Sequence, residues 1–161
     1  RISVHQVGPF GDFPELAMYF LPVVCQHCQD PPCLDACPTG ATKKDESGLV
    51  WINEIECKGC GDCVEACPFC ARFVNPETEI AESCDLCVDL ELTDDQPFCA
   101  KTCPAGAIRL YDPSRPDPES ERLLESAGEN CYSLARSRQA AGPVIVYLLR
   151  RQAWHGWPSF G

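Results

Sequence analysis

Twelve of the fourteen cysteines in this 161-residue chain fall into three blocks, each ending Cys-x3-Cys-Pro. They are CQHCQDPPCLDACP (25 to 38), CKGCGDCVEACP (57 to 68) and CDLCVDLELTDDQPFCAKTCP (84 to 104). Thiols two or three residues apart are too close to staple distant segments, so the spacing argues against a disulfide framework despite the cysteine density. The same spacing suits convergence on a metal centre, for which thiolates are soft ligands.

Block two, Cys57-x2-Cys60-x2-Cys63-x3-Cys67-Pro68, has the run that holds [4Fe-4S] clusters in bacterial ferredoxins. Two-residue spacers let a tight loop wrap three thiolates around one cube, and Gly59 and Gly61 let the backbone approach closely. The fourth cysteine lies beyond a helical turn, faces away from the first three, and ligates the cluster of the other repeat. Block one differs by a longer second spacer stiffened by Pro31 and Pro32. The expected sets are therefore Cys25, Cys28, Cys33 and Cys67 for one cluster, and Cys57, Cys60, Cys63 and Cys37 for the other. Zinc also accepts Cys-x2-Cys pairs and stays open as an alternative, but it gives no reason for two exchanged sets each followed by proline.

Block three stretches its second spacer to eleven residues. By the same rule Cys84, Cys87 and Cys99 are three ligands of a third cluster, and Cys103 is the last ligand of a fourth. No fourth block completes them. The spare Cys70 and Cys131 stand outside the motifs and are read as small packed thiols.

The elements that must position these blocks are small. The last spacers (Leu34-Asp35-Ala36, Val64-Glu65-Ala66, Ala100-Lys101-Thr102) suit one helical turn, which the following proline ends. Polar turn residues before Leu49-Val50-Trp51-Ile52 predict a hairpin, and ARFVNPETEIAESC (71 to 84) repeats that pattern. The boundaries read as a lead-in over 1–24, a two-cluster ferredoxin-like domain over 25–83, half of a second such unit over 84–111, and a C-terminal region over 112–161. That last region holds a proline-rich linker (112 to 118), one or two short helices broken near Gly128 with Cys131 among them, a strand at VIVYLL (144 to 149) and an aromatic tail. The tail either packs back on the body or docks on a partner subunit. The fold class expected is α+β: tandem ferredoxin-like repeats of the bacterial 2[4Fe-4S] type with a C-terminal helical and strand extension.

A net charge of −11 speaks against a nucleic-acid partner. No apolar run approaches the roughly 20 residues of a membrane span. Material for an independent active site is thin. His5, His27 and His155 are the only histidines, and neither a Ser/His/Asp order nor a phosphate-binding glycine loop occurs. His27, inside CQHC, is read as a loop hydrogen-bonder near the cluster, with tuning of a cluster sulfur as its functional role; Asp94-Asp95 is read as a solvated turn and His155 as an exposed or partner-contacting residue.

The blocks resemble the iron-sulfur, electron-transfer B-type component of the dimethyl sulfoxide reductase family of molybdopterin enzymes. YFLPVVCQHCQDPPCLDACPTGA (19 to 41) resembles that family's second cysteine motif, CKGCGDCVEACPFCARFVNP its third and CDLCVDLELTDDQPFCAKTCPAGAI its fourth. The closing LLESAGENCYSLARSRQAAGPVIVYLL resembles the helix and strand that end such subunits. The resemblance implies four motifs and up to four [4Fe-4S] clusters, the first motif pairing with the fourth and the second with the third. It also implies a molybdopterin-containing catalytic subunit as partner, with a membrane anchor subunit or a soluble carrier at the other end of the electron path. The family's first motif lies upstream of the segment matching RISVHQVGPF, and the chain opens at Arg1 without Met or a signal pattern. Truncation is therefore the simplest expectation, with a genuinely reduced two- or three-cluster protein as the alternative. Cys70 stands where that family usually has Gly, and Ser83 and Leu90 where basic residues are common. The competing functions are a free-standing soluble polyferredoxin, a zinc-bound interaction module and an enzyme in its own right.

Overall fold

The computed structural model describes residues 1–88, 96–134, 142 and 144–148. Its strands form four separate two-stranded antiparallel sheets. Strand β1 (Ser3–Phe10) pairs with β2 (Ala17–Val23) from Ser3↔Val23 to Phe10↔Ala17. The lead-in is thus a hairpin with a strict alternation in β2. Tyr19, Leu21 and Val23 are buried while Met18 and Phe20 face out, because successive strand side chains point to opposite faces.

Helix α1 (Pro32–Asp35) follows, then β3 (Thr42–Lys44) and β4 (Val50–Ile52), registered Thr42↔Ile52 through Lys44↔Val50. The expected first hairpin is present. Its turn is closed by Asp45, whose carboxylate accepts from the Ser47 hydroxyl and the Leu49 N–H. Helix α2 (Asp62–Glu65) and the hairpin of β5 (Phe73–Val74) and β6 (Ala81–Glu82) repeat the arrangement, with α1 packed on α2. Each helix is one turn long because proline stands shortly after it.

Beyond block two, helix α3 (Phe98–Thr102) carries Cys99, and the Gln96 amide exchanges two 3.0 Å bonds with the Leu110 backbone to close the loop around it. Helix α4 (Pro118–Ala127) starts where Asp117 caps the Ser120 N–H and Pro118 sits at the first turn. The sequence predicted a helical environment for Cys131. Instead the chain breaks at Gly128 into a 3-10 turn (Gly128–Asn130), and Cys131–Tyr132 forms β7, paired with β8 (Tyr147–Leu148). The strand expected over 144–149 is thus observed only at Tyr147–Leu148 among the described residues. Residues Leu90, Asp94, Asp95, His155 and the aromatic tail lie outside the described residues.

Two small cores hold the assembly. One joins Val7, Tyr19, Leu21 and Val23 of the hairpin to Cys28, Phe69, Ala71 and Leu134; the other joins Cys33, Val50, Cys63 and Ala81. Each fully buried Leu or Val contributes about 1.5–3 kcal/mol by leaving water. The C-terminal segment lies against block one, as Gln29 N–H donates to Gly142, Val144 N–H to Gln26, and the Tyr147 hydroxyl to Pro22.

Candidate metal centres

Each block builds the same loop. The residue before the second cysteine is left-handed in all three: His27 (φ 43°), Gly59 (φ 63°) and Leu86 (φ 56°). That conformation turns the chain tightly enough to bring the two flanking thiols to one side, and only block two uses glycine for it. The turn after each last cysteine also repeats. Gly40, Cys70 and Gly106 are all left-handed and donate N–H to the carbonyls of Cys37, Cys67 and Cys103. Cys70 occupies a glycine's conformational place. Its side chain, and that of Cys131, are exposed. The expectation of packed thiols is wrong for both, because a left-handed turn residue and an edge-strand residue point outward here.

Two cavities lie between the repeats, each enclosing about 290 Å³ of space partly open to solvent. The first is lined by Cys25, Cys28, Cys33 and Cys67 with Pro31, Pro32, Val50, Phe69 and Arg72. The second is lined by Cys57, Cys60, Cys63 and Cys37 with Thr39, Thr42, Ile52 and Ala81. The structure brings together three cysteines of one block with the last cysteine of the other, in both directions. Among the described residues no group of three His, Cys, Asp or Glu closes to the spacing of ligands around one bare ion. The donor set in each cavity is four sulfurs in a mainly apolar lining. That suits a cubane cluster, whose four irons each take one thiolate.

The two sulfur sets differ in setting. Burial pushes the Cys28 thiol up to about 11 and Cys33 up to about 12, and raises Cys25 too. At Cys37 burial acts in the same direction, but N–H and hydroxyl donors from Thr42 and Thr39 overcome it and bring the thiol down to about 7. The Ala71 N–H reaches Cys67 Sγ at 3.4 Å, and the Ala107 N–H reaches Cys103 Sγ at 3.4 Å. Backbone donors thus point at the last sulfur of each motif, where they stabilise a thiolate.

His27 is buried and its Nδ1 accepts from the Val50 N–H at 3.1 Å, so the proton of the neutral ring is on Nε2. Burial first, then the charge of Arg72, holds the ring down near 4 and therefore neutral. Nε2 finds no partner in the protein. His27 keeps its expected loop bond and has a spare donor as well.

In block three, Cys99 and Cys87 both act on the Cys84 thiol, which burial raises, and Cys84 in turn acts on Cys25. Block three therefore abuts the first cavity. Cys103 is lowered chiefly by the N–H groups of its own turn, Ala107 first. Arg72 and Thr42 are the site residues the spacing argument missed. The available signal was that Arg72 is the single charge between Pro68 and Val74.

Residues 16–113 match the family described as the 4Fe-4S dicluster domain. The chain belongs to that family. Its fold is the ferredoxin-like, mixed helix and strand fold of 4Fe-4S dicluster proteins, and [4Fe-4S] clusters are its cofactors. The chain is 45% identical over 137 residues to the thiosulfate reductase electron transfer subunit PhsB of Salmonella typhi, covering 84% of this chain and 67% of that protein. Protein NrfC of Escherichia coli K12 is 37% identical over 137 residues, 84% of this chain and 61% of NrfC. The second subunit, B, of the tetrathionate reductase of Salmonella typhimurium is 34% identical over 147 residues, 91% of this chain and 58% of its own length. The chain thus spans less than two thirds of NrfC and of the tetrathionate reductase protein.

Proposed function

We propose that this chain is a non-catalytic electron-transfer subunit of an oxidoreductase complex, with one [4Fe-4S] cluster in each cavity of a tandem ferredoxin-like unit. One cluster takes Cys25, Cys28, Cys33 and Cys67, the other Cys57, Cys60, Cys63 and Cys37. The observation that carries the reading is the exchange: the last cysteine of each block lines the other block's cavity. Cys84, Cys87 and Cys99 are three ligands of a third cluster and Cys103 one ligand of a fourth, each needing thiolates beyond those in these blocks.

When bound, such clusters accept and release single electrons, and all-cysteine ligation leaves no open iron position for a substrate. The chain's own work is to hold the thiolates, exclude water with Pro31, Pro32, Val50 and Phe69, and present N–H donors to sulfur. The contact of Cys84 with Cys25 offers a route from the third site to the first. The partner we infer is a molybdopterin-containing catalytic subunit, with a membrane anchor subunit or a soluble carrier at the other end. Its supports are the motif resemblance and relatives named as reductase subunits. A subunit role over a free-standing ferredoxin is favoured by the outer face of the β1–β2 hairpin, where Val4 and Phe20 are each 62% exposed and Phe13 at the tip 88%.

The test is iron and acid-labile sulfide content with EPR of the reduced protein, before and after Cys67→Ala. About eight irons for the two cavities, and loss on mutation of the cluster held by Cys25, Cys28 and Cys33, are expected. Zinc without iron, or a Cys67→Ala protein that loses the cluster held by its own block, refutes the reading. Co-purification with a large molybdenum-containing subunit separates the complex from a free carrier.

A further inference from the structure

Arg72 is a buried cation without a buried anion. It is 3% exposed, Nη1 donates to Thr42 Oγ1 at 3.1 Å, and Nε and Nη2 have no hydrogen-bond partner. Among the described residues no carboxylate pairs with it. A guanidinium cannot shed its proton to escape this position. An unpaired charge in such a place costs several kcal/mol, and the fold retains it only if something anionic compensates.

Its surroundings say what the anion is. Arg72 lines the first cavity beside Cys25, Cys28, Cys33 and Cys67. Thr42, which anchors its Nη1, lines the second. Burial works against the charge of Arg72, but Cys33, Cys63 and Cys25 outweigh it; Cys63, from the second cavity, is within hydrogen-bonding reach of the guanidinium. The planar fork therefore stands on the wall shared by the two sites, with sulfurs of both around it and two N–H groups unspent.

We propose that Arg72 is a positioning residue shared by both clusters: its guanidinium supplies the common countercharge and donates to sulfur on each side, raising both reduction potentials together. The inference rests on the assignment of one [4Fe-4S] cluster to each cavity. Four thiolates make such a site anionic, and adding one electron makes it more so. A fixed cation between the two sites favours the reduced form of each, as hydrogen bonds to sulfur also do. One residue thereby sets a floor under two potentials.

The test is potentiometric EPR titration of Arg72→Gln and Arg72→Lys in the full natural protein, with iron and sulfide counted in every sample. Arg72→Gln keeps donors and loses the charge. Both potentials should fall, each reduction equilibrium constant dropping about tenfold or more, which is about 59 mV for a one-electron couple. Arg72→Lys keeps the charge and should stay closer to wild type at both sites. If Arg72→Gln fails to retain iron, restoration of iron by Arg72→Lys with both potentials near wild type supports the shared charge. Failure of Lys to restore iron overturns it. Unchanged potentials in a fully loaded Arg72→Gln protein, a shift at one cluster alone, or an equal fall in Arg72→Lys also overturns it. Wild-type protein without a [4Fe-4S] signal is a different failure, that of the cluster assignment itself.

Discussion

Gly59 and Gly61 lie two residues apart in block two, and both are left-handed, at φ 63° and 85°. Their surroundings predict very different tolerance. A Cβ at Gly59 would sit 1.9 Å from the Glu79 carbonyl oxygen and 3.1 Å from its carbon, whereas at Gly61 it would meet nothing within 4 Å. Glu79 cannot easily withdraw. Its N–H is tied to the Asn75 carbonyl at 2.8 Å, the Asn75 N–H is tied to Ile80 at 2.9 Å, and the Asn75 amide grips Glu82 at 2.6 Å. Gly61→Ala should therefore cost only the left-handed penalty of about 1–2 kcal/mol. Gly59→Ala adds an overpacking cost of about 1–3 kcal/mol, for a total near 3 kcal/mol. For a domain of this size 3 kcal/mol corresponds to roughly 6–12 °C in Tm. The assay is thermal melting of the cluster-loaded protein alongside iron content. We expect Gly59→Ala to lose iron and melt well below Gly61→Ala. Equal effects of the two substitutions, or wild-type melting with full iron in Gly59→Ala, would show that the contact between block two and the β5–β6 turn does not hold the site.

Cys70, left-handed at φ 49° and exposed, should be improved by Cys70→Gly, with a gain of about 0.5–1 kcal/mol and a Tm a few degrees higher; a lower Tm would refute the strain argument. Leu134→Ala opens the core under the β1–β2 hairpin, where Leu134 is 1% exposed, and should cost about 2–5 kcal/mol in denaturant melts. The Ser114 hydroxyl first, then its N–H and Arg115, hold the Asp112 carboxyl down from 3.8 to about 2. A carboxylate with a lowered folded pKa contributes stability that is complete above 3.8 and lost as pH falls toward 2. Asp112→Asn should therefore flatten the acid limb of the stability profile in that window, and an unchanged limb counts against the loop contact.

Cysteine spacing determined much of this protein by itself. Thiolate chemistry, the one-turn helices ended by proline, the hairpins after blocks one and two, and the exchange pattern all follow from residue type and local geometry, because ligands two and three residues apart are constrained by the chain itself. Tertiary structure decided what depends on distant neighbours. The lead-in became a hairpin because Tyr19, Leu21 and Val23 found Phe69 and Leu134 to pack on. Cys131 left the helix for a strand because Tyr147–Leu148 came to pair with it. Cys70 proved to be a turn residue rather than a packed thiol, since only the repeated Cys-Pro-x-Gly turn shows which conformation its position demands. Arg72 shows the same division: the sequence marks one charge in an apolar stretch, and only the packing of two cysteine loops on either side turns that charge into a wall between two metal sites.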